Sequence, residues 1–415
     1  MDTSWLIATL LIITFLPVRL DAQAGNKVTI NSDNVLVING KKVFPIGFTL
    51  APSPDSKAPN GKNGIEELAD AGGTFFRTGA NGHPWDEQTF VTEQKWEDAA
   101  ARYGMYCWLY LHDLASIKGH DTKHEAMLRR VVTQFKDHPG LGIWKGTDEP
   151  EWGKAKIEPL VKAREIIREL DPNHPLAIIQ APRGTVQTLR PYNTASDITG
   201  ADIYPIGYPP GTHSLLTNKE INMVGDYTRT MMEVADGKMP VWMVLQIAWS
   251  GVVRPGKTLR FPTFPEERFM TYEAIINGAR GILYFGGNIE TAMPPEDAKL
   301  GWNWTFWKNV LRPVVEEVGN KSLLAPALVA SESKLPIKIK DPKDMEFCVR
   351  EVGSDIYILA CKRGGTTARI EFTGIPATKS IGEVVYESPR KVELHDGKFA
   401  DWFAPFEVHV YHLSR

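Results

Sequence analysis

From residue 43 onward the chain alternates short, almost unbroken apolar runs with longer stretches in which apolar residues return every three or four positions. The runs are VFPIGF (43–48), TFFRTG (74–79), MYCWLYL (105–111), LGIWKG (141–146), PLAIIQ (175–180), DITGADIY (197–204), VWMVLQ (241–246) and GILYFGG (281–287). Each is short and rich in β-formers, as strands buried on both faces should be. Between them lie helical patterns. Ile157, Leu160, Val161, Ile167 and Leu170 recur at helical spacing, IEELADAGG stops on glycines, and PEERFMTYEAIINGA opens on proline and closes near Gly278. Eight strand–helix units spaced about 30 residues apart predict an α/β fold, a closed (β/α)8 TIM barrel rather than a doubly wound sheet.

The ends of the chain read differently. Residues 35–38 and 43–48 predict two strands around the turn Asn39-Gly40. Beyond about residue 330, LPIKIKD, EFCVREVGSDIYILACKR, TTARIEF, GEVVYES and PFEVHVYHL have no helical period and predict a small C-terminal all-β sandwich. We therefore expect a barrel over 25–328 and a sandwich over 329–415. Residues 1–24 carry an apolar stretch from Trp5 to Val18 followed by Ala22-Gln23-Ala24, the pattern of a cleaved secretory signal. That stretch is shorter than the roughly 20 residues of a membrane span. No later segment is both apolar and long enough to cross a bilayer, so a secreted or periplasmic protein is expected.

Composition narrows the function. A formal charge of −3 argues against a nucleic-acid partner, and nothing implies a protein partner. Three cysteines are too few for a disulfide scaffold. Cys107 reads as a buried core thiol, and Cys348 and Cys361 flank a hairpin turn, where the demanding cross-strand geometry makes a bridge the weaker reading. His83, His112, His120 and His124 lack the spacing of a metal site, and no glycine-rich phosphate loop sits between a strand and a helix. No cofactor or metal is expected.

In a barrel of this kind chemistry gathers at the C-terminal ends of the strands. Those ends carry Arg77, His112 and Asp113, then Lys145, Asp148 and Glu149, then Gln180, Asp202, Tyr204, Gln246, Tyr284 and Asn288. Trp85, Trp152, Trp249, Trp302 and Trp304 lie near them in sequence. Aromatic faces beside acids and amides suit a sugar, whose C–H faces stack while its hydroxyls need fixed donors and acceptors. Trp302, Trp304 and Trp307 cannot share one helical stripe, so at least one is expected to line the cleft while the others pack.

The adjacent carboxyls in WKGTDEPEW admit two readings. Asp148 can cap a helix starting near Pro150 or Glu151, or the pair can be an acid held neutral by a charged neighbour. At this point a resemblance enters. WKGTDEPEW resembles the Asn-Glu-Pro acid/base motif of clan A glycoside hydrolases, of the β-galactosidase (family 42-like) and family 5-like kinds, with Asp148 where asparagine is commonest. TFFRTG, DITGADIYPIGY, YEAIINGARGILYF, the opening VLVINGKKVFPIGF and the closing FAPFEVHVYHL resemble other segments of the same enzymes.

The resemblance implies a carbohydrate substrate, hydrolysis of O-glycosidic bonds, Glu149 as general acid/base, and Arg77 in the site. His112, Tyr204, Gln246, Trp249, Tyr284 and Asn288 become candidate sugar contacts. The departure is Gln246, which stands where the clan has its nucleophilic glutamate, since an amide cannot form a glycosyl ester. Three repairs follow. Asp202 can act as base for an inverting hydrolysis. Asp148 can orient a substrate acetamido group while Glu149 protonates the leaving oxygen, as GTDE resembles the Gly-x-Asp-Glu stretch of β-hexosaminidase-type barrels. Or the barrel has lost catalysis and binds carbohydrate only.

Overall fold

The computed structural model describes residues 25–248, 256–258, 260–342, 344–376, 379–387 and 389–415. The expected signal at 1–24 and Trp249 lie outside these residues.

The chain opens with an antiparallel sheet of β1 (Val28–Ile30), β2 (Leu36–Ile38) and β3 (Lys41–Val43). Asn39 and Gly40 both take positive φ, 49° and 81°, the backbone that a two-residue hairpin with native twist demands. One expectation needs correction here. The run 43–48 is not one strand, because the hairpin partner ends at Val43 and the barrel begins at Ile46. Pro45 lies between them, and a proline cannot donate to a ladder on both sides.

The barrel strands are β4 (Ile46–Thr49), β5 (Phe75–Gly79), β6 (Tyr106–Tyr110), β7 (Leu141–Asp148), β8 (Leu176–Gln180), β9 (Ile198–Asp202), β10 (Val241–Gln246) and β11 (Gly281–Phe285). Each pairs in parallel with the next and β11 closes onto β4, so the predicted (β/α)8 barrel is the observed one. Phe75, Trp108, Ile143, Ile179, Trp242, Val244 and Leu283 fill its interior. Val28, Leu36 and Ile38 of the hairpin join that cluster, which fits a plug over the N-terminal end of the barrel.

Helices α1 (Gly64–Asp70), α2 (Glu87–Tyr103), α3 (Thr122–Phe135), α4 (Ile157–Leu170), α5 (Val186–Leu189), α6 (Met223–Ala235) and α7 (Phe264–Ile276) pack outside the strands. Their limits follow local chemistry. In α2 the Asp86 carboxylate accepts from the Thr89 N–H in a capping box, and Gly104 ends the helix at φ 71°.

The C-terminal sandwich comprises β12 (Lys338–Lys340), β13 (Met345–Val352), β14 (Asp355–Lys362), β15 (Ala368–Thr373), β16 (Ile381–Val385), β17 (Lys391–Glu393), β18 (Phe399–Phe403) and β19 (Val408–Ser414). One sheet runs β12–β15–β18 and the other β13–β14–β19–β16–β17. In the second, Cys348 stands opposite Leu359, and Cys361 opposite Glu346, so the two cysteines are out of register; all three thiols are free and buried.

That sheet also faces the barrel. Cys348, Tyr357, Leu359, Cys361, Val408 and Val410 share a buried cluster with Phe269, Met270 and Tyr272 of α7. Arg363 stitches the seam: Nε donates to Glu273 Oε1 at 2.9 Å, and Nη2 to the Asn222 carbonyl at 2.8 Å and to Asp226 at 2.5 Å.

Candidate active site

A cavity of about 300 Å³ opens at the C-terminal end of the barrel. Trp108 and Val244 from the barrel interior help to line it, as do Arg77, Lys145, Asp148, Glu149, Asp202 and Tyr204.

Strand β7 brings the acids there by breaking its own regularity. Its register against β8 shifts between Lys145 and Asp148, and Glu149 takes φ 44°, a left-handed conformation strained for a side chain placed before proline. Neighbours on a regular strand point to opposite faces. The shift and the turn at Glu149 let Asp148 and Glu149 both meet the cavity. The capping reading fails, since residues 150–154 form turns and α4 begins only at Ile157.

Each acid has a different environment. Lys145 is 1 % exposed, and its Nζ lies 2.5 Å from Asp148 Oδ1 and 4.0 Å from the centre of the Tyr110 ring. Burial pushes the Lys145 ammonium below its ordinary pKa, and Asp148 pulls the other way. Asp148 keeps 42 % of its side chain exposed; desolvation opposes its ionisation, but the charges of Lys145 and Arg77 outweigh it and hold its carboxyl below the usual range. Asp148 is therefore an anion at neutral pH.

Glu149 moves the opposite way, raised by burial and by the charge of Asp148. Asp202 is raised further, by deeper burial and then by Glu149 and Asp148. One oxygen of Glu149, one of Asp202 and a ring nitrogen of His213 lie within 4.8 Å of one another. Two carboxylates this close cannot both ionise readily, so the pair retains a proton. His213, stacked on Tyr204 at 4.4 Å, is pushed down to about 3, mainly by burial, and is neutral.

Carboxylate, carboxyl and imidazole together are a donor set that metals accept. The proton retained by the pair, however, competes with any cation there.

The expected site residues divide. Arg77, Asp148, Glu149, Asp202 and Tyr204 meet at the cavity. Gln246 does not line it: Oε1 accepts from the Ile206 N–H at 2.7 Å and Nε2 donates to the Ile206 carbonyl at 2.9 Å, so the amide is spent holding the loop after β9. Tyr284 points away, its hydroxyl 2.9 Å from that of Thr271 on α7. His112 stands beside the cavity, its Nδ1 3.3 Å from Asp113, while Asn288 is exposed outside it.

Among the tryptophans, Trp302, Trp304 and Trp307 are all buried in the core, contrary to expectation, and Trp152 lines the mouth. Residues the sequence analysis did not single out as site groups are Trp108, Arg183 and His213. Trp108 reads as core within an apolar run; Arg183 and His213 lie in loops, where periodicity carries no signal.

The inverting geometry assigned to Asp202 does not fit. That route needs carboxyls about 6.5–9.5 Å apart, with room for a water between them. Here one oxygen of Glu149 and one of Asp202 lie within 4.8 Å of each other, a closer approach than that route uses.

No family model matches the chain, nor does the sequence of any curated protein. Solved structures do share its fold. One described as a glycoside hydrolase has a TM-score of 0.62 at 14 % identity over 94 % of this chain and 96 % of that one. A family 5 glycoside hydrolase from Bacteroides vulgatus ATCC 8482 has a TM-score of 0.64 at 13 % identity, covering 94 % and 92 %. An alpha-amylase from Anoxybacillus, placed by its description in a new glycosyl hydrolase subclass, has a TM-score of 0.56 at 11 % identity, covering 92 % and 98 %. At such identities the likeness is one of fold: a (β/α)8 barrel with a C-terminal β-domain.

Proposed function

We propose that the protein is a glycoside hydrolase cleaving O-glycosidic bonds of an oligo- or polysaccharide, with Glu149 as general acid. One observation carries this reading. A carboxyl favoured in its neutral form opens into a polar, tryptophan-lined cavity beside a second carboxyl that shares its proton. Glu149 gives its proton to the glycosidic oxygen as the C–O bond breaks, and an Asp202 oxygen bonds to the anomeric carbon. Water then displaces Asp202 while Glu149 takes the water's proton. One acid and one anion is the state such a pair needs, and because Asp202 is raised further than Glu149, the shared proton passes from Asp202 to Glu149 before the leaving oxygen takes it. Export through residues 1–24 belongs to the same proposal.

A second reading is favoured by the fixed charge on Asp148. An anion paired with Lys145 beside an acid shifted towards its neutral form suits a substrate whose own 2-acetamido oxygen attacks the anomeric carbon while Asp148 holds its N–H. Both routes retain configuration.

Turnover of Glu149→Gln on aryl glycosides should fall about 100-fold or more, with sugar binding preserved. Proton NMR of the wild-type reaction just after mixing should show the retained anomer. Inversion would overturn both retaining routes while leaving a hydrolase, whereas wild type inert on every glycoside while still binding sugar would leave only the carbohydrate-binding barrel. Glycosides with and without the acetamido group separate the two routes.

A further inference from the structure

We infer that the sugar taken by this cavity bears an anionic substituent, a ring carboxylate or a sulfate ester, read by Arg77 and Arg183. The inference rests on the glycoside reading and narrows its substrate class.

The ground is charge balance. Arg77, Lys145 and Arg183 all border the cavity. Lys145 is matched by Asp148 at 2.5 Å. Neither guanidinium forms an ion pair among the described residues. Arg77 donates from Nη2 to the Asn81 amide oxygen at 3.0 Å and lies 5.4 Å from the Tyr110 ring centre, while Arg183 lies 4.2 Å over the Trp152 ring. The remaining acids do not restore neutrality, since Glu149 and Asp202 keep a proton between them and His213 is uncharged. With that pair counted as one full negative charge, the cavity still holds an excess cation.

An amide oxygen and aromatic faces compensate a partly buried guanidinium for lost hydration less fully than a carboxylate or sulfate in direct contact would. Its planar fork matches the two oxygens of a carboxylate or sulfate far better than a hydroxyl. The ring contacts hold both guanidinium groups in place before a ligand arrives, so little ordering is left for binding to supply. Trp152 offers the apolar face a pyranose needs next to Arg183.

The test compares sugars that differ only in whether the primary hydroxymethyl is free, oxidised to carboxylate or sulfated: glucosides, glucuronides and glucoside sulfates, with the galactose series alongside. Binding to Glu149→Gln by titration calorimetry is independent of turnover. At least one anionic series should bind about tenfold tighter than its neutral parent, and added salt should shrink the ratio. Arg77→Gln or Arg183→Gln should bring that ratio towards unity, and the Lys variants should keep part of it. Preference for the uronide or for the sulfate identifies the source of the charge.

Equal or weaker binding of every anionic sugar, or a preference that survives both Gln variants, overturns the proposal. Turnover of neutral glycosides without anionic preference would do so and leave the hydrolase reading standing. Anionic preference in binding, with wild type inert throughout, would remove the hydrolase reading instead. Failure to bind any sugar removes both.

Discussion

At the scale of single residues, side chains of the same type take opposite roles according to what surrounds them. Asp148 and Glu149 are neighbours in sequence, yet Lys145 draws one towards the anion while burial and that anion push the other towards its neutral form. Gln246 shows the complementary case. It occupies the strand position of a nucleophile, but its amide is fully buried and bound at both ends to Ile206. Gln246→Glu should therefore create no nucleophile. The new carboxylate would set an oxygen against the Ile206 carbonyl, in a place where an unmatched buried group costs about 1–3 kcal/mol. Denaturant midpoints should fall by that equivalent, and activity should not rise. A gain in turnover would show that this side chain reaches substrate.

At the scale of elements, α2 is tied to the strand that presents Arg77. Glu93 accepts from the Thr78 hydroxyl at 2.6 Å and the Gly79 N–H at 2.7 Å, holding the end of β5. Burial pushes its carboxyl up to about 7 from an ordinary 4.5. A raised folded-state value means that the folded protein binds this proton more tightly than the unfolded chain does. The contribution is complete below about pH 4.5 and is lost as pH rises towards 7, by up to roughly 3 kcal/mol. Melting temperature measured from pH 4 to 8 should decline across that window in the wild type. In Glu93→Gln it should begin lower, since one of the two oxygens that accept from Thr78 and Gly79 becomes an NH2 donor, and change less. Parallel curves for the two proteins would refute the assignment.

Across the whole molecule, the sandwich is coupled to the barrel by apolar packing on α7 and by the Arg363 fork. Glu273, fully buried on α7, accepts from Arg363 and from the Gly225 N–H at 3.1 Å. Removing one partner of a buried pair strands the other, so Arg363→Ala should destabilise the protein by about 3 kcal/mol. Arg363→Lys should recover little, because one ammonium cannot serve Glu273, Asp226 and the Asn222 carbonyl together. Equilibrium unfolding of the three proteins measures both effects. A wild-type midpoint in Arg363→Ala would mean that packing alone joins the domains.

The order of elements was legible in the chain. Buried parallel strands are continuous apolar runs, amphipathic helices repeat near every third or fourth residue, and hairpin turns need residues such as Asn39-Gly40 that accept positive φ. Those signals are local, so the eight strands, the change to an all-β texture near residue 330 and the acid pair at the end of β7 could be read without coordinates. What a side chain meets is not local. Tyr284 sits on a strand end like Tyr204, yet one bonds to the helix layer and the other borders the cavity. Loop residues Arg183 and His213 reach the site from positions that no periodicity marks. The proton shared by Glu149 and Asp202 depends on side chains from β9 and from the turn after β7 bringing two carboxyl oxygens within 4.8 Å of each other. Coulomb energy and desolvation are set by distance through space, so only the tertiary structure could assign them.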